Sequence, residues 1–432
     1  MLKKQLAKTA YILVCIGVLY NSALAQSMPA QDTVSITLEQ AERIFIDSNL
    51  QLLAEHYNIR SAEALVEQAR KWDNPLLVTD QNLYTNGKFF THSRDAAGVS
   101  NGQVFVQVQQ LIKTAGKRGK QVALAQTNTA LAEWQFKTVM RELRLTLKHD
   151  FYTLGQLEAT SALYNDNLAR LQKLEKAMNA SLAAGNIARK EYLRVQALIL
   201  SQKQDIAENT RAIADLQAEM KTLLMMSSDK YIHPVVSATP TADIQSLNLF
   251  ALMDTAARYN TDYNTELCQA RYAQQNLRLQ KALAVPDVTV GPEYDQQSNY
   301  TPNYYGLAIN LPLPVWDRNQ GNIKAARWQT KSEETLVRQA AQKLKNDVLA
   351  GYQKLQVTVK LASTDNGTFY TDYDQLYKNI VESYNNRQIS LIEFLDYFND
   401  YSEIKKKQLQ LQLDLQMAKA ELNDVAGIDI VK

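Results

Sequence analysis

Two acidic residues near the end of the sequence have the spacing with the clearest electrostatic meaning. Glu393 and Asp396 lie three residues apart in a stretch that we predict to be helical. That spacing places both carboxylates on one face of a helix. A narrow passage lined by several copies of such a face would attract cations and repel anions. The chemistry that this pair could do is therefore electrostatic selection of ions.

Residues for metal binding or catalysis do not group in the sequence. The four histidines, His56, His92, His149 and His233, do not lie within ligand spacing of one another. Cys268 is the only cysteine after residue 25, which excludes an internal disulfide and a cysteine-based metal cluster. The sequence has no G-x-S-x-G, H-E-x-x-H or P-loop motif. We expect no enzyme activity, no cofactor and, at a formal charge of +2, no nucleic-acid partner.

An internal duplication sets the order of the elements that position these residues. Asn49 aligns with Asn260 at an offset of 211, and Gly119 aligns with Gly321 at an offset of 202. A repeat of this length predicts two copies of one structural plan. The predicted divisions are a signal peptide at 1–25, a first repeat at 26–226, a linker at 227–247 and a second repeat at 248–432.

The N-terminus has the order of a secretory signal peptide. Basic residues precede an apolar run at 11–20, and Ala23-Leu24-Ala25 follows. An apolar run of about 10 residues is too short to span a bilayer, which disfavours the alternative of a membrane anchor. No later stretch has about 18 consecutive apolar residues, so we expect no membrane-spanning helix.

Long helices are predicted because the sequence has few helix breakers, with 14 Gly and 9 Pro in 432 residues. Ile199, Ile206, Ile213 and Met220 recur at every seventh residue, which is coiled-coil spacing. A helix of about 65 residues would measure about 97 Å, a length that suits a tube. The predicted helices cover about 37–72, 117–182 and 187–226, and then 249–284, 322–385 with a soft spot at 364–367, and 389–426.

Two strands are predicted in each repeat, near 77–83 and 103–108 and near 287–294 and 304–311. Four strands cannot close a barrel, and a sheet crosses a bilayer only when it is closed. If these strands enter a membrane, three chains would supply twelve. The alternative, in which the hairpins cap a soluble bundle, stays open. The aromatic residues around the strands would form a membrane-interface girdle; they are Tyr84, Phe89, Phe90, Tyr294, Tyr300, Tyr304 and Tyr305.

In this order, over about residues 36–427, the features resemble the TolC family of outer-membrane efflux proteins. The last of the matching motifs resembles the strand-to-helix junction of the cation-efflux branch of that family. The motifs are Ile36-Thr37-Leu38-Glu39-Gln40-Ala41, Pro75, Gly116-Lys117-Arg118, Gly185-Asn186-Ile187 with Glu191-Tyr192-Leu193, and Leu311-Pro312-Leu313-Pro314-Val315-Trp316-Asp317-Arg318-Asn319-Gln320-Gly321-Asn322-Ile323.

The resemblance implies a mainly α fold with a small β part. Long coiled-coil helices would form a trimeric α-barrel in the periplasm, and the strands would join a shared twelve-stranded transmembrane β-barrel in the outer membrane. The implied partners are two further copies of the chain, outer-membrane lipid, a periplasmic adaptor (membrane fusion) protein and an inner-membrane, proton-driven RND-type pump. The implied function is an exit duct for small molecules or metal cations. A type I secretion duct for peptides or proteins, or a soluble periplasmic coiled-coil scaffold, remain alternatives.

The resemblance also assigns roles to residues at the turns between long helices. It places a periplasmic gate at Glu393, Asp396, Tyr384 and Glu191. Ile389 stands where the family usually has a basic partner, so a salt-bridged latch is not expected. The candidate docking tips for the adaptor are Gly185, Asn186, Ile187, Arg387, Gln388 and Ile389.

Overall fold

The computed structural model describes residues 32–85, 87–90, 93–94, 96, 100–236, 247–364 and 368–431. The predicted signal peptide, His92 and residues 237–246 of the predicted linker lie outside the described residues. The chain divides into two compact units, each built from segments of both halves of the sequence. Unit 1 contains 1–49, 147–238 and 367–413, and unit 2 contains 50–146, 239–366 and 414–432.

The long predicted helices are present. The longest, Lys117–Ala183, has 67 residues, which corresponds to about 100 Å. The helices of the described residues are α1 (Leu38–Ser48), α2 (Leu50–Arg70), α3 (Lys117–Ala183), α4 (Arg189–Leu223), α5 (Leu249–Tyr259), α6 (Thr261–Leu283), α7 (Gln320–Thr364), α8 (Phe369–Asn385) and α9 (Leu391–Ala426). The separation of α7 from α8 coincides with the predicted soft spot. None of these helices is both long and apolar enough to cross a membrane.

Two helices that were predicted to be continuous are each broken at an asparagine. Asn49 separates α1 from α2, and Asn260 separates α5 from α6, and both have extended backbones with ψ of 118° and 124°. Each asparagine side chain donates a hydrogen bond of 3.0 Å to the end of another helix in its own unit, Asn49 to the Leu223 carbonyl and Asn260 to the Val425 carbonyl. Asparagine readily bonds to backbone groups in place of helical bonds. The prediction of continuous helices was therefore wrong, and the duplication extends to the break and its hydrogen bond.

Four helix ends also repeat in pairs. Gly185, two residues after α3, and Arg387, two residues after α8, both have positive φ, at 72° and 59°. Met225 after α4 and Gly427 after α9 form the second pair, with φ of 51° and 77°. In each pair one member is glycine, which adopts this backbone without strain, and the other is not.

The four predicted strands form one antiparallel sheet in unit 2; they are β2 (Leu76–Gln81), β7 (Val104–Ile112), β9 (Val288–Gln297) and β10 (Pro302–Asn310). Their order in the sheet is β10-β9-β7-β2. Two short strand pairs follow β2 in the chain: β3 (Tyr84–Thr85) with β4 (Lys88–Phe89), and β5 (Ser93–Arg94) with β6 (Ser100–Asn101).

A second sheet, in unit 1, was not predicted. β1 (Asp32–Ile36) pairs in parallel with β8 (Lys230–Pro234); β1 lies at the start of the predicted first repeat and β8 in the predicted linker. The side chain of Gln217 in α4 holds β8 in place, because it donates to the Ile232 carbonyl at 2.6 Å and accepts from the Ile232 N–H at 3.0 Å. Strands of five residues that pair over so long a stretch of sequence leave no local signal.

Each unit has its own core. In unit 1 the aromatic rings of Tyr377 and Tyr401 stack at 3.9 Å, and the core continues to the fully buried Phe398. In unit 2 the core includes Leu355 and Leu422, both fully buried. Burial along α4 follows the predicted seven-residue spacing in part: Ile199 and Met220 are buried, whereas Ile206 and Ile213 are half-buried. The buried Gln202 and Asn209 are also seven residues apart.

An ion pair joins the start of α3 to the start of β9. The Lys117 ammonium donates to the Asp287 carboxylate at 2.6 Å and to the Val285 carbonyl at 2.5 Å. The Asp287 carboxylate also accepts the Thr114 N–H at 2.8 Å. Burial opposes ionisation of Asp287, but Lys117 and Thr114 outweigh it and hold the pKa of this carboxyl below its usual value.

Candidate conduction surface and gate

One face of the four-stranded sheet is apolar. Leu307 and Ile309 of β10 are 62% and 63% exposed, and they pair in register with Pro292 and Val290 of β9. At the other edge of the sheet, Leu77 of β2 and Val108 of β7 form an exposed pair on the same face. An exposed apolar surface that extends across all four strands is typical of a lipid-facing sheet.

The opposite face carries the acidic side chains of the sheet, beside apolar ones such as Leu76 and Phe105. The Gln107 side chain donates to Glu293 at 3.0 Å, and the Gln103 side chain donates to Asp295 at 2.9 Å. Asp80 pairs with Phe105 on this same face. A sheet that is apolar on one side and polar on the other can separate lipid from water.

The two outer strands of this sheet, β2 and β10, have no strand partner on their outer side within the described residues. Every neighbouring pair in the sheet is antiparallel, so β2 and β10 also run in opposite directions. The β10 edge of one copy could therefore pair with the β2 edge of another in the same antiparallel manner.

The predicted girdle residues lie at one end of this sheet and in the loops beyond it. Tyr84 contacts Phe89 with ring centroids 4.9 Å apart, and Tyr294 contacts Tyr305 at 5.1 Å. Phe90 and Tyr300 are exposed, and the Tyr300 ring lies 5.9 Å from Tyr304. Tyr304 differs from the others, because it pairs with Asp295 on the polar face and its ring lies against Gly306. The girdle role stays a prediction for all seven residues.

The two candidate tips have the same backbone structure. After Gly185 and Arg387, the next N–H in each turn donates at 2.9 Å to a carbonyl five residues earlier, which closes the preceding helix. Ile187 and Ile389 are partly buried and pack against the core of unit 1. The residues exposed at the turns are Gly185, Asn186, Arg387 and Gln388.

The two candidate gate acids share an exposed face of α9, as their spacing predicted. Glu393 and Asp396 are exposed, whereas Phe394 and Phe398 on the other side of the helix are buried. The helix begins with a cap, in which the Ser390 hydroxyl accepts the Glu393 N–H at 3.2 Å.

The acidic face is longer than the predicted pair. Asp400 and Glu403 continue it, at seven and ten residues after Glu393, and both are exposed. Glu403 forms an ion pair of 2.6 Å with Lys407 in the next turn. The signal for these two residues was present in the sequence, because the same helical spacing that identified Glu393 and Asp396 includes them.

Tyr384 and Glu191, the other candidate gate residues, lie in the same unit. The Tyr384 ring stacks on Phe394 with centroids 4.8 Å apart. Burial raises the pKa of Tyr384, and the negative charge of Glu191 adds to the effect. The gate role of Tyr384 and Glu191 stays a prediction.

No group of three or more His, Cys, Asp or Glu side chains that could hold a metal ion occurs within the described residues. Cys268 is buried, and its thiol donates to the Thr127 carbonyl at 3.6 Å. The chemical capacity of the described surfaces is therefore electrostatic: an acidic sheet face in unit 2 and an acidic helix face in unit 1.

Comparison with known proteins agrees with this geometry. Residues 44–224 match the family model described as outer membrane efflux protein. The cobalt-zinc-cadmium resistance protein CzcC of Cupriavidus metallidurans is 23% identical over 396 residues, which cover 87% of this chain and 88% of CzcC.

Solved structures share the fold. A crystal structure of CusC has a TM-score of 0.71 at 14% identity and covers 90% of this chain and 92% of CusC. The outer-membrane channel MtrE of Neisseria gonorrhoeae has a TM-score of 0.69 at 15% identity, covering 91% of this chain and 89% of MtrE. The family model, the relative and the fold all point to an outer-membrane efflux protein, in agreement with the resemblance to the TolC family and with an outer-membrane location.

Proposed function

We propose that three copies of this chain form the outer-membrane exit duct of a tripartite efflux system and that metal cations are its cargo. The observation that carries the proposal is the four-stranded sheet with one apolar face, one polar face and two open edges. One chain cannot close such a sheet, and an open edge in hydrocarbon would leave unsatisfied backbone groups. Three chains joined β10 to β2 would make twelve strands with no edge.

In this arrangement the apolar face contacts lipid and the polar face lines the pore. Glu293 and Asp295 then present carboxylates to the pore, held by Gln107 and Gln103. Two acids per chain on three chains give six, and this ring favours cations over anions. The lining binds no ion tightly, since tight binding would slow release.

The gate lies in the periplasm. Glu393 and Asp396 of three chains form the constriction, and Asp400 extends its negative field along α9. Tyr384 and Glu191 hold the helices of each chain together beside it. The duct transfers its cargo by passage alone and performs no covalent chemistry.

The relatives support the cargo and the partners of this proposal. CzcC is named for resistance to cobalt, zinc and cadmium, and we extend cation efflux to this chain. The turns around Gly185 and Arg387 dock the tips of a periplasmic adaptor protein, which links the duct to a proton-driven RND-type pump in the inner membrane.

Planar lipid bilayers test the proposal with purified mature protein. We expect discrete channels with a cation-selective reversal potential. The variant Glu393→Gln/Asp396→Asn should keep the channels and lose part of the cation selectivity. A matched control, Asp372→Asn in α8, also removes acidic charge from unit 1 and should leave selectivity unchanged. Absence of channels would refute the duct, and equal selectivity in the gate variant and the parent would refute the acidic gate.

A further inference from the structure

The segment that follows β10 exposes apolar side chains although it lies outside the sheet. In residues 311–316, which we name the junction segment, Leu313 is 74% exposed, Val315 55% and Trp316 89%. Leu311 is also exposed, at 48%. Such a set of exposed apolar side chains in one short segment indicates that the segment contacts another surface.

The junction segment continues the apolar face of β10. Tyr305, Leu307 and Ile309 alternate along that face of the strand, and Leu311 and Leu313 continue the same two-residue period past its end. From Tyr305 to Leu313 an extended chain covers about 27 Å, close to the height of the apolar band of outer-membrane barrels, about 25 Å. From Tyr305 to the end of the strand at Asn310, β10 itself covers only about 17 Å of this height.

Polar residues hold the turn after the segment in a defined structure. The Arg318 side chain donates to the Pro314 carbonyl at 3.2 Å, and the Gln320 side chain donates to the Trp316 carbonyl at 3.2 Å. The Asn319 amide donates to the Gln280 carbonyl of α6 at 2.7 Å. The apolar side chains are therefore exposed by a hydrogen-bonded turn.

The backbone of the junction segment suits apolar surroundings. Pro312 and Pro314 have no N–H, and the Val315 N–H donates to the Leu313 carbonyl at 2.9 Å. Three of the six residues of the segment therefore have no free backbone N–H. A free N–H would be costly in apolar surroundings.

The equivalent junction of the first repeat is different. Between β7 and α3 the chain has only residues 113–116, and Lys117 is buried in its ion pair with Asp287. Between β10 and α7 it has residues 311–319, with the exposed tryptophan. The apolar segment is therefore a property of the second repeat and not a general requirement for joining a strand to a helix.

We infer that the junction segment is a membrane-interface anchor, with Leu313 and Val315 among the acyl chains and Trp316 at the glycerol level of the inner, phospholipid leaflet of the outer membrane. Tryptophan prefers this level of a bilayer. Trp72, which is exposed before β2, lies at the same end of the sheet, opposite the end that holds the predicted girdle. The two tryptophans would form the second aromatic ring of the barrel.

The inference rests on the proposed function, in which the apolar sheet face contacts lipid. A neighbouring copy of the chain is the competing occupant. It would pair with β10 at its edge, in the plane of the sheet, and would leave the face with Leu307, Ile309 and Leu313 uncovered. Continuity with that face therefore favours lipid.

Quenching of tryptophan fluorescence by brominated phospholipids tests the anchor. The trimer would be placed in bilayers whose acyl chains carry bromine either near the headgroup or near the bilayer centre. A variant with Trp72→Tyr, Trp134→Phe and Trp328→Phe retains Trp316 alone and keeps an aromatic ring for the Arg118 contact. We expect headgroup-proximal bromine to remove most of its fluorescence and central bromine to remove less.

Two reference variants complete the experiment. One retains Trp328 alone, an exposed tryptophan in α7 that should resist both lipids. The other carries Leu307→Trp as its single tryptophan and reports on the apolar face. Quenching of Leu307→Trp without quenching of Trp316 would overturn the anchor and leave the duct intact. Acrylamide would then show whether water or a neighbouring copy surrounds Trp316. Quenching of neither would overturn both proposals.

Discussion

Replacing Lys117 with Met should open the junction between the sheet and α3. The Lys117 side chain is 4% exposed and that of Asp287 is 24% exposed. Met fills a similar volume but leaves the Asp287 carboxylate and the Val285 carbonyl without the ammonium. Removal of one partner of a buried ion pair costs about 3–5 kcal/mol. Because Asp287 keeps the Thr114 N–H and some contact with water, we expect about 3 kcal/mol.

Hydrogen–deuterium exchange of the folded protein measures this cost locally. A loss of about 3 kcal/mol accelerates exchange by about 100-fold, because each 1.4 kcal/mol is a factor of about ten. The acceleration should appear in peptides that contain the first turn of α3 and the start of β9.

Lys113→Met is the matched control. Lys113 pairs with Asp73 at 3.2 Å, but these side chains are 24% and 40% exposed. A pair of this kind contributes about 0–1 kcal/mol, so exchange should rise by less than about fivefold. Equal effects of the two substitutions would refute the reasoning from burial.

The same ion pair predicts a pH dependence. The pKa of Asp287 is lowered in the folded chain, so its stabilising contribution is complete above the ordinary aspartate pKa, about 4. The contribution is lost as pH falls through the lower, folded value. Protection at the junction, corrected for intrinsic exchange, should decrease on acidification in the parent and vary less in Asp287→Asn. The same acid profile in both would show that another group titrates.

Four further substitutions test the duplicated helix ends. Gly185→Ala should destabilise its turn by about 1 kcal/mol. The cost comes from backbone strain alone, because a Cβ at this position meets no atom within 4 Å. Arg387→Gly should stabilise the other turn by about the same amount. Exchange at the two turns should shift in opposite directions, and shifts of the same sign would contradict this. Gly427→Ala should reduce stability by about 3 kcal/mol or more, because the new Cβ would overlap the Tyr259 backbone. An unchanged melting temperature would contradict this prediction. Met225→Gly, at the equivalent position, should raise the melting temperature slightly.

Much of the fold was accessible from the sequence because its signals are local and repeated. The scarcity of Gly and Pro predicted α3 within a residue or two at either end, and alternation predicted the four strands of the sheet. The breaks at Asn49 and Asn260 escaped prediction even though the two residues align. The hydrogen bonds to Leu223 and Val425 that select the broken backbone are distant in sequence. The β1–β8 sheet was not predicted for the same reason, because its two strands are distant in sequence.

The candidate site was likewise predictable only where its signal is local in the sequence. Helical spacing placed Glu393 and Asp396 on one exposed face, and it would have reached Asp400 and Glu403 had the pattern been followed further. The polar sheet face was less accessible, because the contacts from Gln107 to Glu293 and from Gln103 to Asp295 depend on the register of β7 against β9. Register is a tertiary property, set by pairing across strands from both repeats.

Intersubunit cross-linking tests the closure of the sheet by three chains. In a Cys268→Ser background, Leu307→Cys in β10 would be combined in turn with cysteine at Leu77, Thr79 or Gln81 of β2, since all four positions lie on the apolar face. In at least one register, oxidation of the membrane-embedded protein should produce covalent dimers and trimers and no larger species. Monomers in every combination, or a ladder that continues beyond the trimer, would contradict a closed twelve-stranded barrel.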